Sequence, residues 1–418
     1  MGPMNDAPLR LTREQARRIV LLQQRLAGRA ARASPEAVVR TIRQLGFVQW
    51  DPVPIVAPSH LLSLGARLDR FRPAHLERLL WSDRKVFEHW MPIASLVLTE
   101  DYPLFRSLMR RYPASMGKSW GIQGVRAAEF LRRHQDLRTR ILRRLRSGPM
   151  RIGDFQEHTG APRRGPDWEP ASDVSEMLFH LGMAGEVMVV GHDGAQNLWG
   201  LAKEFLPAGT PQERLSIAEF ERRAAERSLR ALGVACARDI HFYFVRGRYQ
   251  TLDATLAALE EEGRIHRVQI EGISARPVHY VHDDVLRRLD AVANGAWEPR
   301  TSLLPPFDTL LGSPIRLNRL FDFAYVREQF LPREKRRFGT YVLPIVHGDR
   351  IIGRIDPQFD RGAGLLRVLS VHAEPGAPAG REPAEAISHA LDRLARDIGA
   401  KQVELPTSLP PEWAGFLR

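Results

Sequence analysis

The stretch of sequence that decides the fold is Met177-Leu178-Phe179-His180-Leu181, which a short turn joins to Gly185-Glu186-Val187-Met188-Val189-Val190. The first run predicts an apolar helix, and the run after Gly185 is typical of a strand. The same change from helix to strand occurs within Leu76–Trp90 and within Leu256–Val268. Two or three short helices precede each copy, and helices followed by a hairpin favour a winged helix-turn-helix module. A generic α+β arrangement could produce the same pattern.

The chain of 418 residues is too long for one hydrophobic core, so several domains are expected. We predict an α+β fold of three tandem winged helix-turn-helix modules, followed by a β-rich C-terminal domain that a helix closes. The predicted boundaries are 1–118, 119–206, 207–296 and 297–418. The tip of the second hairpin, or wing, is predicted at Gly191–Gln196.

The first module begins with two helices whose ends are well marked in the sequence. Thr12-Arg13-Glu14-Gln15 is a capping box that starts a helix reaching about Gly28. Ser34-Pro35 predicts the start of a second helix, which Gly46 ends. The chain then continues as the extended run Phe47-Val48-Gln49-Trp50-Asp51.

The C-terminal part has a different pattern, rich in strands. Tyr341–Val346 and Ile351–Ile355, joined by a His347-Gly348-Asp349 turn, predict a β-hairpin. Gly364–His372 predicts a further strand. Glu382–Ile398 predicts an amphipathic helix, which would close this domain.

Positive charge is concentrated in the first part of the chain. The net formal charge is +12, and residues 1–170 hold 30 Arg and Lys against 16 Asp and Glu. The long helix predicted over Ala128–Arg146 and the loop around Arg163 and Arg164 contribute to this excess. So basic a region favours a polyanion such as a nucleic acid, with an ordinary solvated arginine surface as the alternative.

Several classes of function are disfavoured by what the sequence lacks. No apolar run reaches the roughly 18 residues of a membrane helix, and no signal-peptide core is present, so we expect a cytoplasmic, nucleoid-associated protein. Cys236 is the single cysteine and is expected to be an inert core residue. His279 and His282 have no evident third ligand beside them, so we expect no metal and no other cofactor. P-loop, dinucleotide-binding, zinc-protease and deaminase motifs are absent.

Gln49-Trp50-Asp51 is the candidate catalytic motif. In an extended run alternate residues face the same side, so Gln49 and Asp51 would project together while Trp50 packs on the other face. An amide beside a carboxylate can orient a water molecule, and the carboxylate can stabilise an oxocarbenium ion. Hydrolysis of an N-glycosidic bond requires both. From these three residues alone, the simpler interpretation that Asp51 satisfies a turn before Pro52 is favoured.

Blocks of sequence that run in order along nearly the whole chain favour the catalytic interpretation of Gln49-Trp50-Asp51 over the turn. They are Leu45–Asp51, Ser59-His60-Leu61, Phe87–Trp90, Asp101–Arg106, Leu304-Pro305-Pro306-Phe307-Asp308, Leu320–Tyr325, Lys335–Pro344, His347–Arg350 and Gly353–Asp356. Together they resemble the winged-helix DNA glycosylases of the YcaQ/AlkZ family. The resemblance implies a C-shaped body of three winged helices and a β-rich domain that binds duplex DNA.

The resemblance also implies an activity and its residues. The implied enzyme is a monofunctional, metal-independent DNA-repair glycosylase that removes N7-alkylated purines, can unhook interstrand crosslinks and acts as a monomer. Gln49 would orient the water, and Asp51 would act as electrostatic stabiliser or general base. The scarcity of lysine agrees, because a glycosylase-lyase needs an amine nucleophile and none of the five lysines adjoins the motif. The residues we expect to contact DNA are His60, Arg163, Arg164, His192, Arg336 and Arg337.

The chain departs from the family pattern at two blocks. Trp90-Met91-Pro92 lacks the family's histidine, and Gly312-Ser313-Pro314-Ile315 replaces its Trp-Asp-Arg-Lys, although Arg316 remains. Both departures bear on substrate range and on activity. The alternative function is a non-catalytic winged-helix DNA-binding protein, either a transcription regulator or a family member without activity. RNA binding is a third option, without any RNA-module signature.

Overall fold

The structure is a computed structural model that describes residues 7–90, 93–114, 121–155, 172–194, 196–287 and 297–417. Its architecture is mixed α and β, with several small sheets among helices and one larger sheet near the C-terminus. No helix in these ranges combines the length and the apolar character that crossing a bilayer requires.

The helices and strands of the first two predicted modules follow in chain order. Up to residue 114 they are β1 (Leu9–Leu11), α1 (Arg13–Gln23), β2 (Ala31–Arg32), α2 (Pro35–Leu45), β3 (Val48–Gln49), α3 (Ser59–Gly65), β4 (Leu68–Asp69), α4 (Pro73–Glu77), β5 (Val86–His89), β6 (Ser95–Leu98) and α5 (Tyr102–Met109). The next segment contains α6 (Gly121–Arg133), α7 (Gln135–Leu145), α8 (Asp173–Met183), β7 (Val187–Asp193), β8 (Gln196–Leu201) and α9 (Ala202–Phe205).

The elements of the second half follow in the same way. The third predicted module contains α10 (Ile217–Leu232), β9 (Val234–Cys236), α11 (Ala237–Tyr243), α12 (Leu252–Glu261), β10 (Ile265–Ile270) and β11 (His279–His282). The C-terminal segment contains β12 (Thr301–Leu303), α13 (Pro314–Phe321), β13 (Leu343–His347), β14 (Arg350–Asp360), β15 (Leu365–Ala373), α14 (Arg381–Ile398) and β16 (Gln402–Glu404).

One order of elements recurs three times among the described residues. A helix leads into a short strand, further helical segments follow, and a hairpin ends the unit. In the first copy β3 pairs with β6, and in the third β9 pairs with β11, so the short strand lies beside the second hairpin strand both times. In the second copy a single bridge between Met150 and Trp199 takes the place of that strand.

The capping signals of the first two helices are confirmed. Thr12 caps α1 in a reciprocal capping box with Gln15, and Ser34 caps α2 with Pro35 in its first turn. However, α1 ends before Gly28. Arg25 adopts a left-handed conformation at φ 55°, and the Leu26 N–H bonds back to the Leu21 carbonyl, which closes the helix early.

The single helix predicted over Ala128–Arg146 is wrong, because the structure has two helices there. The break is at His134, which leaves helical geometry between α6 and α7. Its ring stacks on Phe130 at 4.4 Å between ring centroids. The Gln135 side chain donates to the Leu131 carbonyl at 2.8 Å, which satisfies an acceptor freed by the break. Periodicity alone cannot show such a change of axis.

The C-terminal sheet has the strand order β12-β13-β14-β15-β16 and is antiparallel except for the last pair. It contains the predicted hairpin and the further strand, and α14 begins one residue before the predicted helix. Tyr341, Leu343 and Ile355 share a hydrophobic core with Val56 and Leu62. The segment that follows the Gln49-Trp50-Asp51 motif is therefore part of the C-terminal core.

A buried ion pair fixes the end of α3 against this C-terminal region. Arg67 Nη1 and Nη2 donate to the two carboxylate oxygens of Asp308 at 2.6 and 2.9 Å, and both side chains are fully buried. The same guanidinium donates to the carbonyls of Gln24 and Ser63, each at 2.8 Å. This ion pair therefore joins the end of α3, which follows the motif in the chain, to the C-terminal segment.

Candidate active site

The candidate motif lies at the end of a short strand. Gln49 pairs with Ser95 in β6, and the Trp50 N–H donates to the Ala94 carbonyl at 2.8 Å, which extends the pairing by one residue. Pro52 has no N–H and ends the strand. The extended run that the sequence predicts is therefore present.

The Asp51 carboxylate is buried without an ionic partner among the described residues. The residue is only 9% exposed, and Oδ2 is buried with no hydrogen-bond partner among the described residues. Oδ1 accepts one long bond from the Val53 N–H, at 3.4 Å. Burial raises the pKa of Asp51, and the Val53 N–H acts against this rise. Asp51 thus does accept a hydrogen bond from the turn that begins at Pro52, as the simpler interpretation of the motif expects. This bond is long, however, and it involves only one of the two carboxylate oxygens.

The backbone of Asp51 is fixed by the helix that follows it. Its carbonyl accepts the Ser59 N–H at 3.0 Å and lies 3.3 Å from His60 Nδ1. Between these points the chain is held by Arg361, whose Nη atoms donate to the carbonyls of Pro54 and Val56 at 2.9 and 3.0 Å. These contacts set the position of Asp51 from both ends of the loop.

Tyr341, just before the second strand of the C-terminal sheet, shares a hydrophobic core with Val56 and Leu62, which follow Asp51 in the chain. Burial raises the pKa of the Tyr341 phenol, and the negative charge of Asp51 raises it further, whereas the neighbouring Ser59 hydroxyl lowers it. The Tyr341 side chain is 1% exposed. The sequence predicted a strand from Tyr341 to Val346, whereas the strand begins at Leu343, and nothing in the Lys335–Pro344 block indicated a role for Tyr341.

Two buried carboxylates shape the loop that carries Tyr341, residues 337–341. Glu328 Oε2 accepts the N–H groups of Arg337, Phe338 and Gly339 at 3.0, 2.7 and 3.1 Å. Asp356 accepts the N–H groups of the next two residues at 2.9 and 2.7 Å. Gly339 has φ 144°, and a Cβ there would lie 2.1 Å from Asp356 Oδ2, so only glycine fits.

Trp50 is sandwiched between two histidines. Its ring stacks on His60 at 4.1 Å and on His192 at 5.4 Å between ring centroids. His192 belongs to β7, and its Nε2 lies 2.7 Å from Glu88 Oε1 of β5. The hairpin of the second unit is thus docked on the strand that carries the motif. The predicted packing of Trp50 away from Gln49 and Asp51 corresponds to this stack.

The residues expected to contact DNA lie in different environments. Arg163 and Arg164 are outside the described residues. His60 is 4% exposed, and burial lowers its pKa to about 3, so it is a neutral ring packed on Trp50 rather than a surface contact. His192 bonds to Glu88 and stacks on Trp50. Sequence position alone could not show that these two rings face each other across an indole.

Arg336 and Arg337, the remaining two of these residues, are on the loop next to Tyr341. Arg336 donates to the Leu331 carbonyl and to Thr340 Oγ1, each at 2.9 Å. Arg337 is exposed, and its guanidinium lies 4.9 Å from the centre of the Phe338 ring. Arg337 has no salt bridge among the described residues, so its charge is available to a ligand.

Three further arginines, for which the sequence analysis gave no role, are Arg246, Arg248 and Arg327. Arg246 is exposed, with a left-handed backbone at φ 42°. Burial, and then the positive charge of Arg246, lower the pKa of Arg248 to about 10 and also lower the pKa of Arg327. No salt bridge to Arg246 or Arg327 is found in the described residues. The Arg246-Gly247-Arg248 repeat was the only signal in the sequence.

The cysteine and the histidine pair that the sequence offered as a nucleophile and as metal ligands make contacts within the protein. Cys236 is buried, and its Sγ lies 3.2 Å from Asp239 Oδ2. His282 bonds to Glu226 at 3.1 Å, and His279 is 2% exposed. Within the described ranges, no group of three or more His, Cys, Asp or Glu side chains is arranged to hold a metal ion.

The two departures from the family pattern lie at different depths. Met91 and Pro92 are outside the described residues, while Trp90 is 47% exposed and meets the edge of Phe179. Ser313 caps α13 through the Arg316 N–H, and Ile315 is 53% exposed. Arg316 is buried and donates to the Leu232 carbonyl at the end of α10. The residue that remains from the family block is thus structural.

Comparison with known proteins agrees with these observations. The family model described as AlkZ-like, DNA glycosylase AlkZ-like, matches residues 42–396. Among solved structures, the DNA glycosylase AlkZ of Streptomyces sahachiroi is similar in fold, with a TM-score of 0.62 and 16% sequence identity. The match covers 95% of this chain and 100% of that protein.

Proposed function

This chain belongs to the AlkZ-like DNA glycosylase family, and we propose that it hydrolyses the N-glycosidic bond of N7-alkylated purines in duplex DNA. The family assignment makes it a DNA-repair glycosylase that acts on DNA. The alkylated purine, the unhooking of interstrand crosslinks joined through N7, and a monomeric enzyme are parts of the proposal. The observation that carries it is the buried Asp51 carboxylate, one oxygen of which has no hydrogen-bond partner among the residues that the structure describes.

The proposed chemistry uses the positive charge that N7 alkylation places on the base. The C1′–N9 bond breaks, its electron pair leaves with the purine, and the sugar becomes an oxocarbenium ion. The anion of Asp51 stabilises this ion, because charge is strongly felt where water is excluded. Gln49 orients a water molecule, whose oxygen bonds to C1′ and whose proton passes to Asp51 or to solvent. No step requires a lysine or a metal ion.

The three recurring units are proposed to be winged helices, with boundaries at 1–118, 119–206 and 207–296 and the C-terminal domain at 297–418. The short strand beside the hairpin in the first and third units, and the single bridge in its place in the second, agree with that assignment. The third unit would not read DNA through α12, since this helix carries Asp253, Glu260 and Glu261. We infer that DNA is bound largely through its phosphates, with little sequence selectivity.

Arg246, Arg327 and Arg337 are proposed to bind these phosphates. Arg246 and Arg337 are exposed, and no salt bridge to any of the three occurs among the described residues. Arg327 Nε donates to the Pro306 carbonyl at 2.9 Å, which holds the group in place beside Phe307. The positive charge of Arg246 lowers the pKa of Arg327, and a bound phosphate would relieve this repulsion.

The experiment is release of free base from synthetic duplexes that each carry one defined lesion. The panel contains N7-methylguanine, a bulky N7 adduct and an N7-linked interstrand crosslink, and mass spectrometry measures the free base. The wild type should release base, and Asp51→Asn should be at least about 100-fold slower while binding DNA equally well. Gln49→Ala should be slowed less, since it orients the water without carrying charge.

A matched control separates catalysis from loss of a buried acid. Asp397, a half-buried carboxyl on α14, is not part of the proposed mechanism, so Asp397→Asn should keep wild-type activity. If the wild type binds duplex DNA but releases no base from any lesion, the chain is a non-catalytic DNA-binding protein and the proposal fails. If Asp51→Asn keeps full activity, the assignment of the active site fails.

A further inference from the structure

Four arginines to which the proposed function gives no role line one groove. It lies between the end of α5 and residues 212–216, which lead into α10, and its volume is about 320 Å³. These arginines are Arg106, Arg110, Arg111 and Arg214. Among the described residues that line the groove, Glu213 is the one acid, and its two oxygens accept from Arg223 at 2.7 and 2.9 Å. The lining therefore has a clear excess of positive charge.

Two of the four arginines are held in place by contacts within the protein. Arg106 Nη1 donates to the Gln212 carbonyl at 2.6 Å, which ties α5 to the segment before α10. Arg111 Nε donates to the Ser107 carbonyl at 3.0 Å, and its guanidinium lies 5.2 Å from the centre of the Phe220 ring. A ligand would meet guanidinium groups that are already oriented, and this lowers the entropic cost of binding.

Arg111 also has donors that the protein leaves without an acceptor. Neither of its Nη atoms makes a hydrogen bond within the described residues, and Nη2 is buried. Burial lowers the pKa of Arg111, and the negative charge of Glu221 acts against this. The Glu221 carboxylate, however, accepts hydrogen bonds from the N–H groups of Gln250 and Thr251 and from the Thr251 hydroxyl. No carboxylate in the described part of the chain therefore forms an ion pair with Arg111.

The other two arginines are exposed and come from the two sides of the groove. Arg110 directly follows α5, and Arg214 belongs to the segment before α10. Neither side chain makes a hydrogen bond or a salt bridge within the ranges that the structure describes. A single exposed arginine needs no partner other than water. Four arginines around one concave space, two of them fixed, form an arrangement that an anion would stabilise.

We propose that this groove binds a ligand that carries two or more adjacent phosphate groups. The planar fork of a guanidinium donates two parallel hydrogen bonds to a phosphate, which is why arginine is suited to this ligand. A single anion would engage only some of the four side chains, whereas adjacent phosphates would reach arginines on both sides. The inference goes beyond the proposed function, because it requires neither Asp51 nor release of a base.

Two sources present this chemistry: successive phosphates of a DNA backbone, and a free polyphosphate. The test begins with calorimetric titration of the whole protein with inorganic tripolyphosphate. The double variant Arg110→Gln with Arg214→Gln should bind it at least about tenfold more weakly than the wild type does. Both residues are exposed and make no contact that holds the fold, so the variant should melt at the wild-type temperature. Absence of binding by the wild type would overturn the inference.

A charge-matched control separates this site from a general effect of net charge. Arg381→Gln with Arg396→Gln also removes two positive charges, from side chains of α14 that are 75% and 53% exposed. It should change the affinity for tripolyphosphate by less than about twofold, because salt screens exposed charges that do not contact the ligand. An equal loss of affinity in the two double variants would overturn the inference.

Competition with an undamaged duplex identifies the source of the phosphates. If the duplex displaces tripolyphosphate and binds more weakly to the Arg110→Gln and Arg214→Gln double variant, the groove is part of the DNA-binding surface. If both ligands bind at once, the groove takes a free polyphosphate. Unchanged affinity of this variant for both ligands would overturn the inference. Base release enters none of these measurements, so failure of the proposed function would leave them readable.

Discussion

Replacing Asp308 with alanine should lower the free energy of unfolding by about 3–5 kcal/mol, because it leaves the guanidinium of Arg67 buried and uncompensated. Both side chains are fully buried, and the paired distances are 2.6 and 2.9 Å. Arg67 would keep its bonds to the Gln24 and Ser63 carbonyls, but the N–H groups aimed at Asp308 would lose their acceptors. Water cannot reach them without opening the contact between α3 and the C-terminal region.

The assay is urea-induced unfolding followed by tryptophan fluorescence, together with the midpoint of thermal unfolding. At roughly 2–4 °C per kcal/mol for a domain of about 200 residues, the transition should fall by about 6–20 °C. Arg67→Met should cost a similar amount, since it leaves the anion behind. The double variant with Arg67→Met and Asp308→Leu should recover most of the loss, because apolar residues often replace a buried pair with little cost.

Arg67 and Asp308 would not be an energetically coupled pair if the double variant lost as much stability as the Arg67→Met and Asp308→Leu single variants lose together. Such additivity would mean that the two residues act independently. The surface pair of Arg381 and Glu385, with side chains 75% and 50% exposed, is the control. Glu385→Ala should change stability by less than about 0.5 kcal/mol.

Three further predictions concern other parts of the molecule. Burial raises the pKa of Asp397 to about 6, so its ionisation destabilises the folded state as pH rises from about 4 through 6. Asp397→Asn should therefore raise the free energy of unfolding by about 1–2 kcal/mol at pH ~7.5. Near pH ~4 it should have no effect, and urea unfolding at the two pH values measures the difference. Gly339→Ala should cost at least about 2 kcal/mol and abolish base release, because its Cβ would overlap Asp356. Arg246→Gln should weaken binding of any duplex and reduce the slope of log K against log salt by about one, which Arg381→Gln should not do in an anisotropy titration.

Features set by local chemistry could be predicted from the sequence. The caps at Thr12 and Ser34, the extended run before Pro52 and the C-terminal hairpin all depend on residues within a few positions of one another. Each is found where it was expected. The helix over Ala128–Arg146 failed because its break depends on packing around His134, which periodicity does not register.

Features that join distant segments could not be predicted. Arg67 and Asp308 are 241 positions apart, and nothing in either neighbourhood identifies the other. The stack of His60, Trp50 and His192 needs the second hairpin to dock on the first unit. The blocks around Asp308 and Tyr341 carry the resemblance to the family, but their sequence does not show what either residue contacts. In the structure Asp308 fixes the end of α3, and Tyr341 packs in one core with Val56 and Leu62.

The stacked indole of Trp50 is an intrinsic fluorescent probe of the site. A tryptophan pressed between two imidazoles is quenched differently from one in contact with water, and this ring is bonded in the chain to both proposed catalytic residues. A duplex that lifts the second hairpin would separate His192 from the ring and change its emission. The difference between wild type and Trp50→Phe would therefore show, in real time, whether engagement of the lesion moves that hairpin.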